Sequence, residues 1–337
     1  MNNEISDQGR TEAMNEQNEG SSSLESGKTD IVVIGAANMD LVCRVARVPK
    51  QGETLLGQDL MTFPGGKAAN QAVAAARLGA RTHFIGCIGD DYYGQTLLQG
   101  LQKEGVGTEY IKIDSQASTG SALILVEDKG DNTVVVAPGA NNRLSPEDID
   151  NAEPLIQSAG IVLLQLEIPL ETVQHAIELC RKHSVFTMLD PAPAPPRKMP
   201  QEMFQVDALT PNQSEAEALI SHDKDERDKI DEMTAKDFGL RLLEKGPKTV
   251  IMKLGAQGAM IIEEGKRTRH YKACEVKPVD TTAAGDAFAG ALAVALVEGQ
   301  KWSRAIKFAN AAGAASSTAL GAQPSLPTRE LVEKMMG

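Results

Sequence analysis

Val279-Asp280-Thr281-Thr282-Ala283-Ala284-Gly285-Asp286-Ala287-Phe288 runs into an apolar stretch that ends at Val297, and the rest of the chain is arranged around this segment. An extended piece ends at Asp280, a turn of small residues follows, and a helix opens at about Gly285. Free N–H groups and the positive end of the dipole make such a helix mouth attractive to anions. Asp286 lies in the first turn. By position alone its carboxylate fits either helix charge complementarity or a group held there for chemistry. Residues 287–297 are apolar on every side apart from Gly290, which marks a helix buried in the middle of the protein. A charge at the buried end of a central helix needs a purpose.

Outward from this segment, Ile31-Val32-Val33-Ile34-Gly35 is a continuous apolar run of the kind shown by a parallel strand buried on both faces. Comparable runs recur at residues 82–88, 161–166, 185–189, 207–210 and 249–255, and helical stretches such as residues 170–183 separate several of them. That rhythm predicts an α/β fold with a mostly parallel central sheet flanked by helices. Two regions break it. Residues 41–63 alternate without helical period, as do residues 120–126 and 132–137 around a Lys129-Gly130-Asp131 turn. They are expected to form a small separate sheet, a lid drawn from about 41–63 and 118–137, projecting from the main layer and able to close over a site.

A length of 337 residues suits roughly two domain-sized units or one large α/β domain, and the 42% hydrophobic content is ample for a core. The net charge of −12 argues against nucleic acid or an anionic membrane surface as partner. Cys43, Cys87, Cys180 and Cys274 are far apart and show no metal spacing, which fits buried thiols in a reducing compartment. No uninterrupted apolar segment approaches the length of a membrane span. Residues 1–29 carry six acids against two bases and are rich in Asn, Gln, Ser and Gly. They read as a disordered acidic tail, neither a secretory signal nor an Arg-rich transit peptide. A cytoplasmic protein is expected, with residues 30–337 as its folded part and residues 221–232, densely charged, as a solvated loop or helix edge.

Several shorter stretches carry chemistry-bearing residues. Asn38 and Asp40 follow the first strand, where open α/β sheets place ligands; a turn-forming pair fits the same spacing. The absence of G-x-G-x-x-G there weakens a dinucleotide-binding alternative. Pro64-Gly65-Gly66-Lys67-Ala68-Ala69-Asn70-Gln71-Ala72 opens an Ala-rich helix that stops at Gly79. Paired glycines let a ligand approach the backbone closely. Nothing like G-x-x-x-x-G-K-[ST] surrounds Lys67, so it has no P-loop role. Glu167 closes an apolar strand. Asn212 followed by Glu215 is a capping-box pattern, and Gly255-Ala256-Gln257-Gly258 reads as a hairpin turn.

In order along the chain, these stretches resemble the motifs of the ribokinase family of sugar kinases over about residues 30–327. The segment at 65–70 resembles the family's G-G-K-G-A-N, with Ala68 in place of the third Gly; residues 280–286 resemble D-T-x-G/A-A-G-D, with Ala283 in place of its usual Gly. The resemblance implies that Asp286 takes the proton from the acceptor hydroxyl and that amides at Ala284 and Gly285 form an anion hole. It places Asn38, Asp40, Gly65, Gly66, Lys67, Asn70 and Glu167 with Asp286 around the sugar. It places Asn212, Lys253, Leu254, Gly255, Ala256, Gln257, Gly258 and Asn310, with Gly285 and Asp286, around the nucleotide. Glu215 would support a Mg²⁺ water network. Asp280 and Thr282 from one side, and Ser316, Ala319, Gly321 and Ser325 from the other, would give oxygen ligands to a monovalent cation, K⁺. Ala68 suits the first turn of a helix, and Ala283, at a position acting through backbone amides, is expected to matter little.

The reaction so implied is transfer of the γ-phosphoryl of ATP to a primary hydroxyl, O5 of D-ribose, in a homodimer joined through the lid sheet, whose edge strands would otherwise invite aggregation. A related kinase for 2-deoxyribose, a nucleoside or another sugar is the alternative within enzymes. A catalytically silent sugar-binding regulatory protein is the alternative of another class.

Overall fold

The computed structural model describes residues 27–127, 131–221 and 233–337. Most of the acidic tail, the 129–130 part of the hairpin turn and charged residues 222–232 lie outside the described residues. In chain order the strands are β1 (Ile31–Ile34), β2 (Asn38–Val45), β3 (Leu60–Gly65), β4 (Thr82–Gly89), β5 (Gly107–Asp114), β6 (Gly120–Glu127), β7 (Asn132–Ala137), β8 (Ile161–Leu164), β9 (Phe186–Leu189), β10 (Ala208–Leu209), β11 (Thr249–Lys253), β12 (Ala259–Glu263) and β13 (Arg269–Tyr271). Nine of them form one sheet in the order β13-β12-β11-β10-β9-β8-β1-β4-β5. Neighbours from β11 to β5 are parallel, and β12 and β13 add antiparallel.

β1 is buried throughout, and its period-two alternation divides the core. Ile31 and Val33 pack with helices Lys67–Arg77, Ala284–Val297 and Trp302–Ser316; Val32 and Ile34 pack with Leu170–Lys182, Gln213–Ser221 and Ala235–Leu243. The α/β three-layer arrangement expected from the βα rhythm is therefore present. Ala284–Val297 is the most enclosed helix, buried from Asp286 to Leu296 as its all-round apolar sequence predicts. Two glycines set how closely it is approached. A β-carbon on Gly290 would lie 2.8 Å from Ala74 Cβ and 2.9 Å from the Gln71 carbonyl, and one on Gly313 would lie 3.0 Å from the Ala284 carbonyl.

The second sheet has the order β3-β2-β6-β7, with β2 and β6 parallel and the outer pairs antiparallel. It starts earlier than the alternation suggested: Asn38 already pairs with Gly65 and Gly120, so Asn38 and Asp40 belong to the small sheet rather than to a turn after β1. Residues 46–59 are not strand. β5 and β13, at the two edges of the large sheet, were not expected from the sequence.

Candidate active site

β1 stands where the sheet order reverses, with β4 on one side and β8 on the other. Clefts in open α/β sheets form beyond the carboxyl ends of strands at such a point. The segments that leave β1 and β8 there carry Asn38, Asp40 and Glu167, and the Lys67 and Ala284 helices begin alongside.

Asp286 is 6% exposed. Its two carboxylate oxygens are addressed by adjacent residues of the Lys67 helix: Asn70 Nδ2 donates to Oδ2 at 2.9 Å and Gln71 Nε2 to Oδ1 at 3.3 Å. The close crossing at Gly290 is what brings both amides within reach. Burial raises the Asp286 pKa above the ordinary carboxylate value, Lys67 and Asn70 acting against it and Asp190 with it. The helix is entered through Ala283, whose φ of 60° and ψ of 5° lie in the left-handed region. Position 283 is therefore conformationally demanding, and the family's usual glycine would sit there without the Cβ penalty. The Ala284 amide donates to the Thr281 carbonyl at 3.2 Å. Gly285 is exposed to the cleft.

Around Asp286 the residues of the sugar set converge. Asp40, 9% exposed, has a pKa pushed up to about 7 by burial and by the charges of Glu167 and Asp286, with Lys67 opposing. Its carboxylate lies against Gly65, where a β-carbon would come within 2.2 Å of Oδ2. Gly66, at φ 88°, lets the chain turn from β3 into the helix within reach of the Ala36 carbonyl. Glu167 accepts from the Lys67 amide at 2.9 Å, so it caps that helix while facing the cleft; burial raises its pKa, the Lys67 ammonium lowering it. Burial works against the Lys67 ammonium, but Asp286, Glu167, Asp190 and Glu215 outweigh it and hold the group charged. Asn38 Oδ1 accepts from Asn141 Nδ2 at 2.7 Å, and the Asn70 Oδ1 is buried without a partner among the described residues. The Ala68 methyl is fully buried against Gly35 rather than in the cleft.

A cleft of about 720 Å³ is lined by Asn212, Ser214, Lys253, Leu254, Gly255 and Gln257, among others. Ala256 also lines it. The capping box is formed: Glu215 N donates to Asn212 Oδ1 at 2.8 Å and Asn212 N to Glu215 Oε2 at 2.7 Å. Burial raises the Glu215 pKa and Lys253 lowers it. Gly258 serves the hairpin, because a β-carbon there would lie 2.0 Å from the Tyr271 carbonyl. Asn310 meets the nucleotide set at the same carbonyl: its amide donates to the Tyr271 and Lys272 carbonyls at 3.0 and 3.1 Å, leaving its oxygen for a ligand.

Three polar residues missed at the sequence level complete the site. Gln71 Nε2 also donates to Asp190 Oδ2 at 3.1 Å, and Asp190 Oδ1 accepts from Lys253 Nζ at 2.6 Å. Gln165 Nε2 donates to Gln71 Oε1 at 2.6 Å. A continuous buried chain thus runs from Asp286 through Gln71 and Asp190 to Lys253. The available signal was two glutamines and an aspartate beside apolar residues: Gln71 before Ala72-Val73, Gln165 between Leu164 and Leu166, and Asp190 after Met188-Leu189.

The segments around Asp280 and Gly321 are also adjacent. Asp280 Oδ1 accepts from the Thr282 amide and hydroxyl at 2.9 and 2.6 Å, and Oδ2 accepts from the Gly321 amide at 2.9 Å. Although burial acts the other way, the Thr282 and Gly321 donors lower the Asp280 pKa. The buried hydroxyls of Ser316 and Ser325 lie 2.9 Å apart, and the Ala319 amide donates to the Ser316 carbonyl. Among the described residues no three His, Cys, Asp or Glu side chains cluster as a metal site, and no helix is long and apolar enough to cross a membrane.

The pfkB family of carbohydrate kinases matches residues 28–329. The chain is 41% identical over 301 residues to a ribokinase of Haemophilus influenzae, covering 89% of this chain and 96% of that one. It is 40% identical to a ribokinase of Bacillus subtilis, covering 91% and 99%. The crystal structure of a Thermotoga maritima ribokinase superposes with a TM-score of 0.83 at 40% identity, covering 91% of this chain and 99% of that one. An Arabidopsis thaliana ribokinase complexed with ribose and ATP superposes at 0.81 and 31% identity, covering 92% and 99%. With both signature segments folded against each other around Asp286 and the match spanning nearly all of the described body, the chain belongs to the pfkB family of carbohydrate kinases.

Proposed function

We propose that this chain transfers the γ-phosphoryl of ATP to O5 of D-ribose, giving D-ribose 5-phosphate and ADP. The observation that supports it most directly is the placement of Asp286: a buried carboxylate of raised pKa at the dipole-positive end of the central helix, bonded to Asn70 and linked through Gln71 and Asp190 to Lys253 in the cleft. Asp40, Glu167 and the unpartnered Asn70 oxygen accept from sugar hydroxyls, and Asn38, held by Asn141, completes that side. Asp286 takes the O5 proton as the O5–P bond forms and the bond from phosphorus to the β,γ-bridging oxygen breaks, so that ADP leaves. Its raised pKa makes it a better proton acceptor near neutral pH than an ordinary aspartate. The Gly285 and Asp286 amides meet the charge that develops on the phosphoryl oxygens. A kinase of this kind works mainly by positioning.

Mg²⁺ fits as an ion carried largely by nucleotide phosphates and water, since Glu215 is the acidic member of its set and is already bonded to Asn212. When bound, it neutralises phosphate charge. The oxygen-only donor set of Asp280, the Thr282 carbonyl, Ser316, Ala319, Gly321 and Ser325 suits K⁺, which would order the helix mouth. The small sheet acts as a lid that excludes water, and dimerisation through it covers its outer strand. We place the enzyme in the cytoplasm, consistent with four free cysteines.

The test is ADP release and ³¹P NMR of the product with a panel of D-ribose, 2-deoxyribose, nucleosides and hexoses. The 36% identity to a deoxyribokinase of Salmonella typhi makes 2-deoxyribose the competitor to include. Asp286→Asn is expected to lower kcat by about 10²–10⁴-fold while calorimetric sugar binding persists. Near-normal turnover would remove Asp286 as the base, and no sugar-dependent ADP release at all would favour the silent sugar-binding alternative.

A further inference from the structure

Lys253 sits where a cation is hard to hold. It closes β11, its side chain is 12% exposed, and it lines the cleft beside the mouth of the central helix. A β-carbon built on Gly285 would lie 3.8 Å from Lys253 Nζ. That end of the helix carries the positive pole of its dipole and attracts anions. Lys67 adds a second positive charge nearby. Burial, the dipole and Lys67 all disfavour an ammonium here, yet Asp190 at 2.6 Å and Glu215 at 3.8 Å hold it charged. A phosphoryl group seated at Gly285 would meet the helix mouth and the Lys253 ammonium together.

We propose that Lys253 is a catalytic residue that contacts the phosphoryl group in transfer, and that Asp190 is the positioning residue that aims it; this rests on the kinase reading above. As the O5–P bond forms and the bond to the bridging oxygen breaks, negative charge moves onto the peripheral oxygens and the departing β-phosphate. Lys253 donates hydrogen bonds to that charge and keeps its proton. Gln71, bonded to both Asp190 and Asp286, fixes the ammonium and the proton acceptor relative to each other.

A purely structural ion pair and a catalytic lysine respond differently to removal of both partners. Replacing a buried pair together is often neutral for stability, whereas removing one member leaves the other charge unpaired. We would compare Lys253→Met/Asp190→Asn, Asp190→Asn and Lys253→Arg with the parent, measuring Tm, sugar affinity by calorimetry, and kcat and the ATP KM from ADP release. The double variant is expected to stay folded, with Tm lowered only by what Glu215 loses with the ammonium, to keep sugar affinity and to lose about 100-fold in kcat. Asp190→Asn, with the charge present but not aimed, is expected to lose on the order of 10-fold in kcat, and Lys253→Arg to recover part of the double variant's loss. A folded double variant with kcat within three-fold of the parent would overturn the proposal, because the pair would then be structural only. Asp190→Asn at parental kcat would overturn the positioning role. A parent that phosphorylates no sugar would instead overturn the kinase reading itself, so the two failures are distinguishable.

Discussion

At the scale of single residues, the site stores unfavourable electrostatics where the chemistry needs them. Asp40 has a pKa of about 7 against an ordinary 3.8, from burial and from Glu167 and Asp286. A carboxyl whose folded pKa lies above its unfolded value contributes stability that is fully present below about pH 3.8 and lost as pH rises through about 7. Roughly three pKa units amount to about 4 kcal/mol as an upper bound. Asp40→Asn should therefore melt above the parent at pH 8, with the gap closing towards pH 4, while sugar affinity drops. Thermal melts across that range decide it, and a pH-independent gap would refute the assignment. Ala283 stores strain in the backbone instead. A left-handed L-residue costs about 1–2 kcal/mol, and the extra backbone freedom of glycine returns about 0.5–1 kcal/mol of that. Ala283→Gly should thus raise stability by up to about 1 kcal/mol in urea titrations, and a loss of that size would show that the turn is not strained. Asp286, Asn70 and Glu167 were legible because each ends or begins a recognisable element. Gln71 and Asp190 were not, since their importance lies in contacts 119 and 215 residues apart in sequence, which no local pattern encodes.

Elements explain why those contacts can form. The central helix was readable from its all-round apolar composition, and β1 from its unbroken Ile-Val-Val-Ile run. β5 was missed because Gly107–Asp114 is half-exposed at a sheet edge and mixes Thr, Glu, Lys and Asp into its pattern. The start of β2 was missed because Asn38 and Asp40 are polar residues facing a cleft, where function replaces the alternation of a strand. The Lys67 helix and the central helix meet at Gly290, where an added methyl would collide with Ala74 and the Gln71 carbonyl. Gly290→Ala should push the helices apart at the very turn that carries Asn70 and Gln71. A destabilisation of about 1–3 kcal/mol is expected, together with a fall in kcat larger than any change in the ATP KM. Chemical denaturation and steady-state kinetics on one preparation test both halves. Unchanged kcat in a destabilised variant would show that the amides reach Asp286 without the close crossing.

For the whole molecule, the open question is what covers the small sheet. All six residues of β7 are exposed, and Val134, Val135 and Val136 are apolar in succession, so both faces of this outer strand present hydrophobic side chains. Leu123 on β6 pairs with Val135 and is itself 53% exposed. Unprotected apolar edge strands invite pairing, while a net charge of −12 opposes unspecific association of whole molecules. A symmetric pairing of two small sheets satisfies both conditions. It would also stiffen the strand layer that bears Asn38 and Asp40, so association and sugar affinity should be coupled. Light scattering should give twice 35.9 kDa for the parent at micromolar concentration. Leu123→Glu/Val135→Glu, which adds like charges on a cross-strand pair, should give the monomer mass with a weakened sugar KM and an unchanged melt of the main body. A parent that scatters as a monomer would end the dimer proposal. A dissociated variant with the parent's sugar KM would show that the small sheet holds Asn38 and Asp40 in place without its partner.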